Sequence, residues 1–249
     1  MTDLVLSSRS GGVRRIVLNR PDKRNAVSTD MRHLLLDAFL AAREDTETTV
    51  IVLSGNGPSF CSGFDRAEMN LAGHVDPAAD MGRNSVRVAE MLSVWDLPKP
   101  VIAQVQGYCL GWANDLVATA DIVICGESAR FGMPEVREFA LPPLLGMWAA
   151  KAGIALTKEV LFSGRLISGE EAVRFGLANA VVGDSVLEAT VDELAQQIAT
   201  APAGLLAVIK QAVNSWAEEA GLRRAALRGA EYHALYHASR AAIAATSDD

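Results

Sequence analysis

The sequence predicts an α/β fold, and three observations predict it. Two runs rich in β-branched and aliphatic residues, LVLSS and VRRIVLN, meet at Gly11-Gly12. Two continuous apolar runs, VIVLSG and PVIAQV, have the length of buried strands. Between the pairs, Met31, Leu34, Leu35, Ala38, Phe39 and Ala42 recur at helical spacing. With 249 residues and 50% hydrophobic content, the chain can bury a full core as one domain, with or without a helical appendage.

Each element has a local reason. The first two runs form a β-hairpin that Pro21 ends, and Ser28 is placed to cap the following helix. VIVLSG is a buried strand, and GNGPSFCSGFD, dense in turn residues, is a loop. Residues 71–79 show no period and are expected to form a mobile loop. A helix over about 80–95 leads to Pro98 and Pro100, with PVIAQV as the next strand. Gly111 then turns the chain into a helix over about 112–119. Beyond residue 150 the chain becomes helical. Ser168-Gly-Glu-Glu171 and Ser185-Val-Leu-Glu188 both have capping-box form, the second preceding an apolar stripe of Leu187, Val191, Leu194 and Ile198. From Pro202 the chain is helical and alanine-rich. The expected organisation is an α/β core over residues 1–190 and a helical region over 191–249, without repeats or low-complexity segments.

Composition excludes several functions. A net charge of −7 lacks the basic face that nucleic-acid binding needs. No run of eighteen apolar residues exists and no signal-peptide pattern opens the chain, so no membrane association and a cytoplasmic location are expected. Cys61, Cys109 and Cys125 are too widely spaced for a zinc ribbon and are odd in number, which points to reduced core thiols. GNGPSF lacks the third glycine of a dinucleotide fingerprint, and no glycine-rich loop ends in Gly-Lys-Ser/Thr. His233 and His237 share a helix face, but no third ligand stands at metal-site spacing, so no metal site is expected. Cys61 has no histidine near it in sequence to activate it.

The stretch 107–135 places two acids, Asp115 and Glu135, among glycine turns and apolar residues. A helix starting at Trp112 leaves the amides of Trp112 and Ala113 without intrahelical partners, and such an end attracts negative charge. Asp115, three residues on, shares the face of residue 112 and could flank a bound carbonyl, or could serve only to complement the helix dipole. The loop SFCSGFD offers the amides of Gly63 and Phe64 at a glycine turn, and Glu135 follows Pro134 at a helix start. The parts run in the order loop amide, helix-end amide, first acid, second acid.

In that order the sequence resembles the crotonase superfamily of enoyl-CoA hydratases and isomerases. The resemblance runs through NRPDKRNAVS, SFCSGFDRAEM, PKPVIAQVQGYCLG, ATADIVICGESARFGMPEV, FSGRLISGEEAVRFGLANAVV and the helical tail. It implies a spiral of ββα units with a C-terminal helical trimerisation region packed on neighbours, giving a homotrimer or dimer of trimers. It implies that the amides of Phe64 and Trp112 hold the thioester oxygen of an acyl-CoA, that Asp115 and Glu135 are the catalytic acids, and that Lys23, Arg24 and Ala26 lie in the segment meeting the nucleotide end of coenzyme A. Glu135 would handle the α-proton and Asp115 the water. No metal or redox cofactor is implied; coenzyme A enters within the substrate.

Two departures bear on the reaction. Aspartate stands at 115 where family hydratases have glutamate, which withdraws the carboxylate by one bond of about 1.5 Å. This resembles dienoyl-CoA isomerases, although the further acid those carry is replaced here by Pro143. Trp112-Ala113 replaces the usual glycines, so an indole stands near the acyl group. Leu141-Pro-Pro143 is similar to the Ile-Pro-Pro of hydroxycinnamoyl-CoA hydratase-lyases, a hint of an aromatic acyl group. The expected activity is hydration of an enoyl-CoA, with double-bond isomerisation or a weakly catalytic acyl-CoA-binding paralogue as alternatives.

Overall fold

Gly11 takes a φ of +55°, which a residue without Cβ tolerates, and turns Val5–Ser10 (β1) back along Val13–Leu18 (β2). The pairing is antiparallel, with Val5 opposite Leu18 and Ser10 opposite Val13. The computed structural model describes residues 3–68, 76–137 and 145–247. Thr29–Glu44 (α1) starts where Ser28 Oγ accepts the Met31 amide at 3.2 Å. It buries Met31, Leu35, Phe39 and Ala42, while Leu34, on the flank of that stripe, is exposed.

Val50–Gly55 (β3) lies parallel to β2, and Val101–Val105 (β4) parallel to β3. Between them runs Pro77–Trp95 (α2). Its first turn overturns part of the loop expected at 71–79: Asp76 accepts the Ala78 amide at 3.1 Å and Pro77 is preset for a first helical position, so residues 77–79 are helical. Residues 71–75 of that stretch lie outside the described residues.

From β4 the chain alternates between two sheets. Tyr108–Leu110 (β5) enters a small sheet, Trp112–Thr119 (α3) crosses over, Ile122–Gly126 (β6) joins the large sheet, and Arg130–Gly132 (β7) returns to the small one. After Leu145–Ala152 (α4) and Ile154–Ser163 (α5), Ile167–Ser168 (β8) pairs with β7, and after Gly169–Arg174 (α6) Ala180–Val182 (β9) pairs with β6. The large sheet has the order β1-β2-β3-β4-β6-β9 and the small one β5-β7-β8. From β4 onward each turn of the chain gives one strand to each sheet, which is the expected spiral of ββα units.

Parallel strands must be covered on both faces, and their side chains alternate accordingly. Val50 and Val52 of β3 join Val13, Ile102 and Ile124 beneath Leu187–Ala199 (α7), which seats Leu187, Val191 and Ala195 on them. Ile51 and Leu53 face the main core with Met31, Phe39, Met91 and Trp112. Each such aliphatic side chain contributes about 1.5–3 kcal/mol by leaving water. The expected division at residue 190 falls inside α7.

Of the two capping boxes, Ser168 forms one with Glu171: Glu171 N donates to Ser168 Oγ at 3.2 Å and Ser168 N to Glu171 Oε2 at 3.0 Å. Ser185 does not. It sits inside a 3-10 turn, Asp184–Val186, whose leading Asp184 is turned away to accept both the amide and the hydroxyl of Ser128. Two helices follow, Ala203–Glu219 (α8) and Leu222–Ser247 (α9). Within the chain α9 packs against α2 and α4, with Leu222, Ala226, Ala230 and Ala234 buried at four-residue spacing. Small alanines allow that close approach. Among the described residues no helix is long and apolar enough to cross a membrane.

Candidate active site

The loop after β3 is held from both sides. Phe64 bridges Val27 in parallel register through the Gly63 carbonyl, which accepts Val27 N at 2.8 Å, and Asp65 N, which donates to the Val27 carbonyl at 2.9 Å. A parallel bridge of that kind turns the amide of Phe64 itself to the opposite side. Asn25 holds the base of the loop: fully buried, its Nδ2 donates to the carbonyls of Asn56, Ser59 and Phe60 at 2.9–3.0 Å, and its Oδ1 accepts Arg20 N at 2.7 Å. Arg20 also pairs with Asp65 at 2.5 Å, lowering the carboxyl's pKa through that hydrogen bond.

Cys61 N donates to Tyr108 O at 2.9 Å and Leu110 N to Cys61 O at 3.0 Å, so this loop runs alongside β5 and ends beside Gly111. Gly111 has φ +56° and ψ −123° and opens α3, of which every residue is buried. Its amide donates to Gly132 O at 2.9 Å. Asn114, in the first turn, sends Nδ2 to the carbonyls of Cys109 and Gly132, fixing the ends of β5 and β7 to the helix start. Asn114 N and Asp115 N both fold back on Gly111 O, leaving the amides of Trp112 and Ala113 as the leading ones of the helix.

Glu135 lies in the turn Pro134–Arg137 that follows β7. A Cβ built on Gly111 would stand 1.5 Å from Glu135 Oε1, and one on Gly63 would stand 3.7 Å from the same oxygen. With a bond of about 1.5 Å between the carbons, Oε1 is no more than about 3 Å from the Gly111 Cα. One carboxylate therefore faces both glycines that precede the Phe64 and Trp112 amides. Asp115 is one helical turn beyond Trp112, about 4.5 Å further along the axis, and is 1% exposed. Glu135 Oε2 and Asp115 Oδ1 are both buried atoms.

Trp112 does not project freely into the cleft. The residue is 7% exposed and lines a small recess with Leu35, Phe39, Met91, Val94 and Leu116 between α1, α2 and α3. Its ring lies 5.7 Å from that of Phe64, tilted by 44°. Arg87 of α2 covers Phe64, with the guanidinium carbon 4.6 Å from the ring centroid. Residues 141–143 lie outside the described residues.

Lys23 and Arg24 are exposed on the rim, and Ala26 is half-buried behind them. Arg24 adopts φ +49° and rests its guanidinium 5.3 Å from the Tyr108 ring, while its carbonyl accepts Ser62 N at 3.0 Å. The basic segment is thus pinned two residues from Phe64. Cys61, Cys109 and Cys125 are buried free thiols, and burial pushes Cys61 up to about 12, which leaves it inert as a nucleophile.

His233 and His237 do meet a third group, contrary to the expectation from spacing. Packing of α9 on α2 brings Asp80 Oδ2 to 2.8 Å from His237 Nδ1, and the ligand atoms of Asp80, His233 and His237 lie within 4.8 Å of one another. Asp80 Oδ1 also accepts from Arg83 and Asn84 at 3.2 Å, so the cluster fastens the two helices.

Sequence reasoning missed Asn25, Asn114 and Arg87. Asn25 carried one usable signal: asparagine enters left-handed backbone more readily than most residues, and here φ is +54°.

The enoyl-CoA hydratase/isomerase family matches residues 8–242. The carnitinyl-CoA dehydratase of Salmonella typhi is 33% identical over 220 residues, 88% of this chain and 83% of that protein. A probable enoyl-CoA hydratase from Mycobacterium smegmatis superposes with a TM-score of 0.92 at 29% identity, covering 98% of both chains. An enoyl-CoA hydratase/isomerase from Xanthobacter autotrophicus Py2 superposes with a TM-score of 0.90 at 28% identity, covering 95% of this chain and 88% of that one.

Proposed function

The chain belongs to the enoyl-CoA hydratase/isomerase family, and on that premise we propose that it adds water across the 2,3 double bond of an acyl-CoA thioester. One observation carries the reading: the Glu135 carboxylate is packed against Gly111 and beside Gly63, next to the two amides offered to a thioester oxygen. In this scheme the amides of Phe64 and Trp112 hold that oxygen and stabilise the enolate as charge develops on it. Asp115 takes a proton from water as its oxygen bonds to C3, the electron pair moves through C2 to the thioester oxygen, and Glu135 delivers a proton to C2. The reverse sequence expels water from a 3-hydroxyacyl thioester. Lys23, Arg24 and Ala26 receive the nucleotide end of coenzyme A, and no step calls on a metal or redox group.

A second reading, double-bond isomerisation by Glu135 alone, draws support from Asp115, whose side chain is shorter than glutamate and 1% exposed within α3. Incubating the protein with short 2-enoyl-CoAs in H₂O and D₂O separates the two. Hydration predicts loss of the conjugated thioester with one oxygen and one C2 deuterium gained. Migration of the double bond without oxygen gain favours isomerisation, and tight binding without chemistry favours a binding paralogue. We also propose that copies of the chain assemble as a trimer or dimer of trimers. Leu205, Val208, Ile209, Val213 and Trp216 form an exposed apolar stripe on α8, and a monomeric mass in light scattering would refute the assembly.

A further inference from the structure

The arginines of α1 and α2 near the cleft are not alike. Arg32 pairs with Glu90, and Arg83 pairs with Asp80 at 3.2 Å. Arg87 is half-buried against the Phe64 ring, its Nη1 reaches Asn84 Oδ1 only at 3.4 Å, and among the described residues no carboxylate comes within 4.0 Å of it. Burial above all, then the charges of Arg32 and Arg83, lower its pKa, and Asp80 and Glu90 offset this in part. Among the described residues, then, this guanidinium has the charges of Asp80 and Glu90 near it but no carboxylate in contact.

We propose, resting on the reading of this cleft as an acyl-CoA site, that Arg87 binds a second carboxylate at the far end of the acyl chain, so that the preferred thioesters are short dicarboxylic ones. Phe64 links the two points: its backbone amide is the one read as holding the thioester oxygen, and the Arg87 guanidinium carbon lies 4.6 Å from the centroid of its ring. A chain of four or five carbons, with bonds of about 1.5 Å, is about as long as the Phe64 side chain that links these two points. Trp112, its ring 5.7 Å from that of Phe64, packs against the same side chain. A terminal carboxylate gains two charge-assisted hydrogen bonds from the planar fork of arginine, and it relieves the crowding of three guanidiniums. A quaternary ammonium, such as the carnitinyl group bears, meets repulsion at the same point.

The test compares kcat/KM for glutaconyl-CoA, its methyl ester and 2-hexenoyl-CoA. Charge-assisted bonding predicts a preference for the free carboxylate of about 30-fold or more, collapsing to less than about threefold in Arg87→Gln and intermediate in Arg87→Lys. A wild-type preference below about threefold overturns the proposal, and so does a preference that survives Arg87→Gln. Calorimetric binding of glutaryl-CoA against hexanoyl-CoA to the wild-type protein needs neither turnover nor a stable variant. Binding of glutaryl-CoA about tenfold tighter supports the subsite, and equal binding overturns it. A protein that binds with this ratio yet turns nothing over refutes hydration while leaving the subsite standing.

Discussion

Alanine at position 111 tests the arrangement of Glu135 most directly. The added Cβ would lie 1.5 Å from Oε1 and 2.5 Å from Cδ, whereas ordinary contact begins at 3.4 Å, so Oε1 must retreat by about 3.4 − 1.5 = 1.9 Å. A misplacement of about 1 Å can cost on the order of a hundredfold, so kcat/KM should fall by at least about that factor. Because the obstacle is the far end of a flexible side chain, the stability loss is chiefly the backbone strain of φ +56°, ψ −123° in a residue bearing Cβ, about 1–3 kcal/mol. For a chain of this size that lowers Tm by roughly 2–12 °C. Gly153→Ala is the control: φ there is +82°, yet nothing lies within 4 Å of the new carbon, so it shares the strain and spares the carboxylate. Kinetics and melting curves of both variants decide the matter. Activity of Gly111→Ala within tenfold of wild type, or equal losses in the two variants, refutes the reasoning.

Glu135→Gln should abolish C2 proton exchange by at least about a hundredfold, while Asp115→Asn should spare exchange and depress hydration; the C2 deuterium content of recovered thioester reads both. Replacing Lys23 and Arg24 together by alanine should weaken acyl-CoA binding and flatten its salt dependence, measured by titration at two ionic strengths. Asn25→Ala removes the shared hydrogen bonds to three carbonyls and should cost about 3 kcal/mol, a Tm drop of roughly 6–12 °C by calorimetry. Burial holds Cys61 and Cys125 at about 12 against an ordinary 9, so the unfolded chain loses these protons first. Stability is then full below pH 9 and declines as pH rises from 9 towards 12, while maleimide at pH 7 should label only unfolded protein.

The parts of the fold that sequence alone revealed are those with local causes. Ser28, the Ser168–Glu171 box and the start of α3 at Trp112 each depend on residues within one helical turn. The apolar runs that became β3 and β4 depend on burial on both faces, which leaves an uninterrupted hydrophobic signature. Ser185 failed because its neighbour Asp184 was drawn to Ser128, a partner 56 positions away. Asn25 showed only its tolerance of left-handed backbone and Asn114 had no trace at all, because the acceptors of both are backbone carbonyls, which every residue carries. Asp80 beside His237 and Arg87 over Phe64 arise from helix packing and ring placement across long separations, and spacing along one helix cannot report them.

The contact between Asp80 and His237 joins positions 157 residues apart. At a synthesis rate of about 5–20 residues per second, α2 waits roughly 8–30 s after its own translation before α9 can cover it. Throughout that interval the inner side of α2 is open to any other apolar surface nearby. The hazard for this chain is therefore concentrated on the ribosome, where slower translation of the final helices lengthens the wait and a transient chaperone over α2 shortens the exposure.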